Sequence, residues 1–216
     1  MKTIKIKKNI FEKNDEVAIH LRTFFKKRRI FTVNLLGSPG AGKTSILEKV
    51  IQNLNPEINC AIIEGDLFTD RDAKRLEKCG TRVIQINTEG VCHLDANMVK
   101  KAVKKLNLKN IDLLIIENVG NLVCTASYDL GENIKATVFS VPEGSDKLLK
   151  YPHIFQKAEI MIINKIDLVK YTNFDRKKIV NDLKKMNKNI RIFNVSCETN
   201  EGIKELCIYL EKKTNG

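Results

Sequence analysis

Short apolar runs alternate with amphipathic stretches along this chain. Seven runs are long enough for one strand each, at 31–36, 60–63, 82–86, 112–116, 136–141, 160–163 and 190–195. Stretches with apolar positions at helical spacing lie between them, near 44–53, 69–78, 95–106, 147–157, 175–186 and 201–212. This alternation predicts an α/β domain in three layers, with a mostly parallel central sheet and helices on both faces.

The N-terminal part, residues 1–30, is basic and predicts one amphipathic helix. Four apolar residues recur at near-helical spacing within residues 12–29: Val17, Leu21, Phe24 and Phe25. Four basic residues follow, where they suit the negative end of the helix dipole: Lys26, Lys27, Arg28 and Arg29. Because 216 residues suffice for one sizeable core but not for two, we expect a single domain over 1–216.

Composition narrows the class of protein. Hydrophobic residues make up 43% and charged residues 30%, as in ordinary soluble globular domains. No apolar run approaches the roughly 20 residues of a membrane span, and no secretory signal follows the basic N-terminus, so we expect no membrane partner and a cytoplasmic location. The net charge of +12 comes from dispersed lysines without interleaved aromatic residues, so no nucleic-acid partner is expected. Six cysteines are too few for a disulfide scaffold, which leaves burial or metal ligation for each.

A phosphate-binding motif connects the first predicted strand to the next helix. It reads Gly37-Ser38-Pro39-Gly40-Ala41-Gly42-Lys43-Thr44, with Ser45 directly after it. This is G-x-x-x-x-G-K-[ST] in the required context, and it predicts the P-loop NTPase fold. Its glycines allow backbone amides to surround phosphates at the positive end of a helix. Lys43 should reach the β and γ phosphates, and the Thr44 hydroxyl should ligate Mg²⁺.

The base-selecting residues come after another apolar strand. Asn164-Lys165-Ile166-Asp167 resembles the N-K-x-D motif of GTPases. A carboxylate accepts two hydrogen bonds from the N1–H and 2-amino group of guanine, which adenine does not offer. Ser196 and Cys197 follow the last predicted strand and resemble the S-A-K element that supports the base, although Cys197 departs from it. The sequence therefore predicts GTP as ligand, and it disfavours a P-loop kinase for a small molecule.

Acidic residues at strand ends are candidates for catalysis and Mg²⁺ binding. Glu117 ends the apolar run 112–116, and Asp66 follows the run 60–63. Together with Lys43 they are the candidate catalytic residues, and Thr44, Asp66, Asp72 and Glu117 are the candidate Mg²⁺ ligands. Ordinary GTPases carry Asp at the position of Glu117. Two alternatives therefore stay open for Glu117, which are direct contact with Mg²⁺ and contact through a water molecule. Asp70 and Asp72 have an alternative role, which is to cap and charge the next helix.

Four segments resemble one known family. They are Glu64-Gly65-Asp66, Gly90 to Asp95, Glu117 to Cys124 and Val141 to Lys147. Together they are similar to the hydrogenase nickel-incorporation GTPases of the HypB family, over roughly residues 10 to 210. The related urease accessory GTPases of the UreG family carry Cys-Pro-His in the corresponding loop. In this chain Cys92 and His93 are adjacent, which favours the HypB family. Residues 1–30 contain no cysteine and one histidine, so the N-terminal nickel store of some members is not expected.

The resemblance implies a metal site of Cys92, His93 and Cys124 at or near the interface of a GTP-dependent homodimer. Thiolate and imidazole are ligands that Ni²⁺ and Zn²⁺ both prefer. Cys124 lies seven residues after Glu117, so hydrolysis could move a metal ligand. The implied function is nickel delivery to a [NiFe]-hydrogenase large-subunit precursor, together with other nickel-delivery maturation proteins. Urease-type nickel insertion and a zinc-stabilised regulatory dimer are the alternatives. Burial is expected for the remaining cysteines outside the nucleotide site: Cys60, Cys79 and Cys207.

Overall fold

The structure is a computed structural model that describes residues 6–215, with backbone alone for residues 6–10. Its strands are β1 Phe31–Gly37, β2 Cys60–Asp66, β3 Arg82–Asn87, β4 Leu113–Glu117, β5 Ile134–Ser140, β6 Ile160–Asn164 and β7 Arg191–Asn194. Its α-helices are α1 Ile6–Lys27, α2 Lys43–Asn53, α3 Arg71–Glu77, α4 Ala96–Lys105, α5 Lys147–Lys150, α6 Pro152–Lys157, α7 Arg176–Met186 and α8 Ile203–Thr214. Short 3₁₀ helices lie at Thr125–Ser127, Val141–Glu143 and Ile166–Tyr171.

The seven strands form one sheet in the order β3-β2-β4-β1-β5-β6-β7. Every neighbouring pair is parallel, so the predicted sheet is confirmed and is parallel throughout. The P-loop strand β1 lies between β4 and β5, where the order of connections reverses. In open parallel sheets the crevice at such a point, outside the carboxyl ends of the strands, is the usual ligand site.

Alternate side chains of the strands pack on opposite faces, as the predicted three layers require. Val33 and Ile115 face the helices α2, α3 and α8. Leu114 and Ile116 face α1 and α4, whereas Phe139 and Ile163 face the helices α5 to α7. Because both faces are covered, the central strands β4 and β6 are buried at every position.

The N-terminal helix begins earlier than predicted, at Ile6, and the part of the basic segment before it, residues 1–5, lies outside the described residues. Its buried stripe is Ala18, Leu21 and Phe25, which belongs to the same core as α4. A helix period of 3.6 residues places these three side chains on one face.

The stretch 147–157 forms two helices, and the prediction of one continuous helix was wrong. Pro152 begins α6, and Tyr151 before it is non-helical, with φ −128° and ψ 56°. A proline ring disfavours the helical conformation in the preceding residue, which breaks the helix there.

Candidate functional site

The P-loop turns around a crevice at the carboxyl end of β1. Gly40 and Gly42 are left-handed, with φ of 74° and 91°. A Cβ at Gly42 would clash with Asn164 Nδ2, so the loop and the base-selecting strand approach too closely for any side chain there. At Gly37 a Cβ would lie 2.9 Å from the Val138 carbonyl oxygen. Gly40 is thus required for backbone shape, Gly37 for space, and Gly42 for both.

The other P-loop residues are held by short contacts. Ser38 and Ala41 are buried, and Pro39 borders Gly120, where a Cβ would lie 3.0 Å from the Pro39 nitrogen. Lys43 is folded back into the loop and donates from Nζ to the Ser38 carbonyl over 3.5 Å. The amine is thus positioned inside the loop in which phosphates would bind. Ser45, in the first turn of α2, accepts a hydrogen bond from Arg75.

A buried acidic pair lies beside the P-loop. Thr44 Oγ1 donates to Glu117 Oε1 over 2.9 Å. Glu64 pairs with Glu117 across β2 and β4, and both side chains line the same cavity of about 430 Å³ as Lys43 and Thr44. Burial raises the pKa of Glu117 to about 7 against the charge of Lys43. Burial, followed by the charge of Glu117, raises the pKa of Glu64 to about 8. These side chains create a site that favours a cation.

Glu64 lines this cavity, but it was not among the site residues predicted from the sequence. Its signal was available, because Glu64 follows the apolar run 60–63 as Glu117 follows 112–116. The next acidic residue on β2, Asp66, was chosen instead.

Asp66 lies at the cavity but is engaged in a turn. Its carboxylate accepts from Leu67 N over 2.7 Å, from Thr69 N over 3.0 Å and from Thr69 Oγ1 over 2.7 Å. Burial opposes ionisation, but the hydrogen bonds from Thr69 and Leu67 outweigh it and hold the pKa of Asp66 below its usual range. Asp66 is therefore ionised and oriented near the proposed phosphate site. Its role stays a prediction.

Asp72 also lines the cavity and forms an ion pair with Arg75 Nη1 over 2.9 Å. It lies in the first turn of α3, where a negative charge suits the helix dipole. Asp70 precedes that helix without a side-chain capping bond, and it pairs with Lys74. Asp72 thus fits the charge part of the structural role that the sequence left open, whereas Asp70 stands at the N-cap position without capping the helix.

The base-selecting residues are placed against the P-loop. Asn164 Nδ2 donates to the Ala41 carbonyl over 3.0 Å, and Lys165 Nζ donates to the Gly40 carbonyl over 2.8 Å. Asp167 Oδ1 accepts from Ser196 Oγ over 2.6 Å, which orients the carboxylate. Cys197 Sγ donates to Asn164 Oδ1 over 3.7 Å. The predicted elements of the base site thus lie together on the carboxyl ends of β6 and β7.

The three predicted metal ligands converge. One ligand atom from each of Cys92, His93 and Cys124 lies within 4.8 Å of the other two, although the residues belong to separate loops after β3 and β4. The Cys92 Sγ and His93 Nδ1 are 4.0 Å apart. The spacing allows one ion to contact all three, and two sulfurs with one imidazole form a donor set for borderline metals.

Tyr128 is an aromatic neighbour that sequence reasoning did not identify. Its ring stacks on His93 with 3.9 Å between centroids and 16° between planes. Burial lowers the pKa of His93 despite the charge of Asp95, which keeps the imidazole neutral and able to ligate. A hydrogen bond with Cys92 raises the pKa of Cys124, so the Cys124 thiol holds a proton that a metal would displace.

The remaining cysteines differ in burial. Cys207 is buried in the core of α8, as expected. Burial was also predicted for Cys60 and Cys79, but they are only half-buried, because both lie at the rim of an open cavity at the opposite end of the sheet.

Among the described residues, none of the helices has the length and apolar character of a membrane span.

This chain is similar to known proteins over nearly its whole length. Residues 31–194 match the nucleotide-binding domain described as CobW/HypB/UreG. Hydrogenase maturation factor HypB of Escherichia coli K12 is 43% identical over 208 residues, which are 96% of this chain and 72% of that protein. Hydrogenase/urease maturation factor HypB of Helicobacter pylori is 39% identical in an alignment that covers 98% of this chain and 88% of that protein. The crystal structure of HypB from Helicobacter pylori in complex with nickel has a TM-score of 0.89 and 38% identity, and it covers 94% of this chain and 95% of that one.

Proposed function

Because this chain belongs to the CobW/HypB/UreG family, as a P-loop GTPase and hydrogenase maturation factor of the HypB kind, we propose that GTP binding and hydrolysis control the delivery of nickel. The observation that carries this proposal is the Cys92, His93 and Cys124 cluster, one ligand of which lies on the loop that leaves Glu117. We name residues 118–124 the switch loop.

Each polar group at the nucleotide site has one role in this proposal. Backbone amides of the P-loop bind the phosphates, and Lys43 leaves the Ser38 carbonyl to contact them. Asp167 accepts from guanine, with Ser196 fixing its orientation. Asp66, ionised and held in its turn, is positioned to orient water.

The oxygen donors beside the P-loop fit Mg²⁺. Glu64 and Glu117 each carry one buried oxygen, Oε2, that has no hydrogen-bond partner within the described part of the chain. Carboxylate and hydroxyl oxygens are the ligands that hard cations prefer. We assign Thr44 and Glu117 to Mg²⁺, with Glu64 beside them and Asp66 and Asp72 at the rim of the cavity. Bound Mg²⁺ would neutralise charge on the β and γ phosphates.

A homodimer around the metal site is supported by exposed apolar side chains. Val91 and Val123 adjoin Cys92 and Cys124 and are 39% and 59% exposed. Phe68 is 73% exposed and lies beside Gly90 on the same surface. Apolar groups clustered on a surface are typical of contact sites. We propose that GTP brings two copies together here, and that hydrolysis loosens the ligands.

The proposed recipient is the precursor of a [NiFe]-hydrogenase large subunit, reached together with other maturation proteins. The Helicobacter pylori relative is named for both hydrogenase and urease, so a urease apoenzyme is the second candidate recipient. Three ligands per chain leave a coordination position for a donor or a recipient protein, which suits transfer better than storage.

The test is nickel affinity and oligomeric state, measured together with GDP and with a non-hydrolysable GTP analogue. We expect different affinities in the two states and a dimer with the analogue. Cys92→Ala should lose nickel in both states, whereas Cys79→Ala, a thiol outside the cluster, should behave as wild type. Equal affinities would remove the coupling. Metal retained through a whole cycle of hydrolysis would favour a zinc-stabilised regulatory dimer instead.

A further inference from the structure

A buried amide side chain joins the nucleotide site to the loop that carries Cys92 and His93. Asn118 directly follows Glu117 and is fully buried. Its Oδ1 accepts from Leu94 N over 3.1 Å and from Val119 N over 3.0 Å. Leu94 is the residue after His93. The Asn118 side chain therefore accepts one hydrogen bond from within the switch loop and one from the loop that carries Cys92 and His93.

Leu94 is also held from the other strand that ends at the cavity. Its side chain is buried against Gly65, where an added Cβ would lie 2.8 Å from Leu94 Cδ1. Gly65 stands between Glu64 and Asp66. Leu94 thus contacts the ends of both β2 and β4, which supply the acidic residues of the site.

A second branch leaves Asn118 on its opposite side. Asn118 Nδ2 donates to Asn34 Oδ1 over 3.2 Å, and Asn34 Nδ2 donates to Glu132 Oε1 over 3.3 Å. Glu132 Oε2 accepts from Leu130 N over 2.7 Å. This branch ends two residues from Tyr128, the ring that stacks on His93. An unsatisfied buried polar group is penalised, so a displacement of Asn118 is unfavourable unless its hydrogen-bond partners move with it.

The covalent route from Glu117 to the metal site reaches only Cys124. Cys92 and His93 lie on another loop, and Leu94 is 24 residues away from Asn118 in sequence. If hydrolysis moved the switch loop alone, two of three ligands would stay in place. Extending the proposed function, we propose that Asn118 is the positioning residue that transmits the nucleotide state from Glu117 to the Cys92 and His93 loop.

The chain offers a matched control in Asn14 on α1. Asn14 Oδ1 accepts from Ala96 N over 2.9 Å, and Asn14 Nδ2 donates to the Asp129 carbonyl over 2.9 Å. These bonds hold Ala96, three residues after His93, and Asp129, next to Tyr128, and neither of them involves a strand end at the nucleotide cavity. Asn14→Ala therefore removes two bonds beside the metal site without removing the connection to Glu117.

The experiment measures Ni²⁺ affinity in the GDP state and in the GTP-analogue state, with Mg²⁺ present, for wild type, Asn118→Ala and Asn14→Ala. Couplings between sites are typically about 5- to 150-fold, so we expect a wild-type ratio of at least about fivefold. Asn118→Ala should bring the ratio to within about twofold of one. Asn14→Ala should lower affinity in both states and keep the ratio.

The outcomes separate this proposal from the proposed function. A wild-type ratio that survives in Asn118→Ala overturns the role of Asn118 and leaves nickel coupling intact. A wild-type ratio of one overturns the coupling itself, and the transmission with it. A ratio lost equally in Asn14→Ala assigns the effect to general loosening and also overturns the proposal.

A second measurement needs no variant, in case Asn118→Ala does not fold. Hydrogen–deuterium exchange of the wild type should show altered protection of residues 92–96 when GDP is replaced by the GTP analogue. Unchanged protection there, with a change in the switch loop, would contradict transmission through Asn118. Asn118→Ser, which keeps a short oxygen unable to reach Leu94 N, should match Asn118→Ala in the affinity assay.

Discussion

Thr44 donates its hydroxyl hydrogen bond to Glu117 Oε1 over 2.9 Å, which ties the first turn of α2 to the end of β4. The two groups assigned to Mg²⁺ are therefore in contact before any ion binds. The site is preorganised, because an ion would only exchange the hydrogen bond between Thr44 and Glu117 for its own contacts with these two side chains.

Replacing Glu117 by glutamine tests that assignment. The amide keeps the shape and the hydrogen-bond acceptor but removes the negative charge, so GTP hydrolysis should fall about 10- to 100-fold at low Mg²⁺. Hydrolysis rates across a Mg²⁺ titration would measure this, and excess Mg²⁺ should restore part of the loss. A Glu117→Gln enzyme with the wild-type Mg²⁺ dependence would show that this carboxylate does not serve the ion.

Replacing Asp167 by asparagine should change the preferred base. The Asp167→Asn variant would lose the two carboxylate bonds to guanine, each with a net value of about 1.5–3 kcal/mol, so GTP affinity should fall by about 10²-fold or more. The amide donor of the new side chain instead complements the 2-oxo group of xanthine, and XTP binding should rise. Competition against a fluorescent nucleotide measures both. Ser196→Ala, which removes only the orienting bond, should weaken GTP without admitting XTP.

Removing the ring of Tyr128 should weaken metal binding while the ligands remain. The ring stacks on His93 and fixes the imidazole plane. Groups that orient a ligand typically contribute about 10- to 100-fold to metal affinity, so Tyr128→Ala should weaken Ni²⁺ by about tenfold. Tyr128→Phe keeps the stack and should bind as wild type. Competition with a chromogenic nickel chelator gives the values, and equal weakening in both variants would assign the effect to the hydroxyl instead.

The acidic pair predicts how stability depends on pH. Glu64 and Glu117 have folded pKa values of about 8 and about 7, raised from an ordinary value of 4.5 by burial. Between the ordinary and the raised values the folded state binds more protons than the unfolded chain, so their contribution is complete below pH 4.5 and is lost as pH rises through 7 to 8. The melting temperature of the nucleotide-free, metal-free protein should therefore fall as the pH rises from 4.5 to about 8.

Glu64→Gln is the control for this dependence. The amide cannot ionise, so the variant should lose less stability than wild type between about pH 6 and 8. Melting curves of both proteins with a chelator present give the comparison. Parallel curves for the two proteins would contradict the assigned pKa of Glu64.

Local patterns predicted much of this protein correctly. The alternation of apolar runs and amphipathic stretches gave the α/β class, and contiguous residues gave the P-loop and the Asn164 to Asp167 segment. Such motifs can be read directly because backbone shape and hydrogen bonding act between near neighbours. The break at Tyr151 and Pro152 was equally local, and the helical periodicity on either side of it was misread as one helix.

By itself, then, the sequence predicted most of the strands and helices and supplied candidate groups for phosphate, guanine and metal chemistry. Only the tertiary structure decided which of them meet. Glu64 lies beside Glu117 because β2 pairs with β4, and Asn14 reaches Asp129 across 115 residues. Asn118 joins Leu94 because two loops end at the same edge of one sheet. Strand order is set by the packing of the whole core, and no local pattern specifies it.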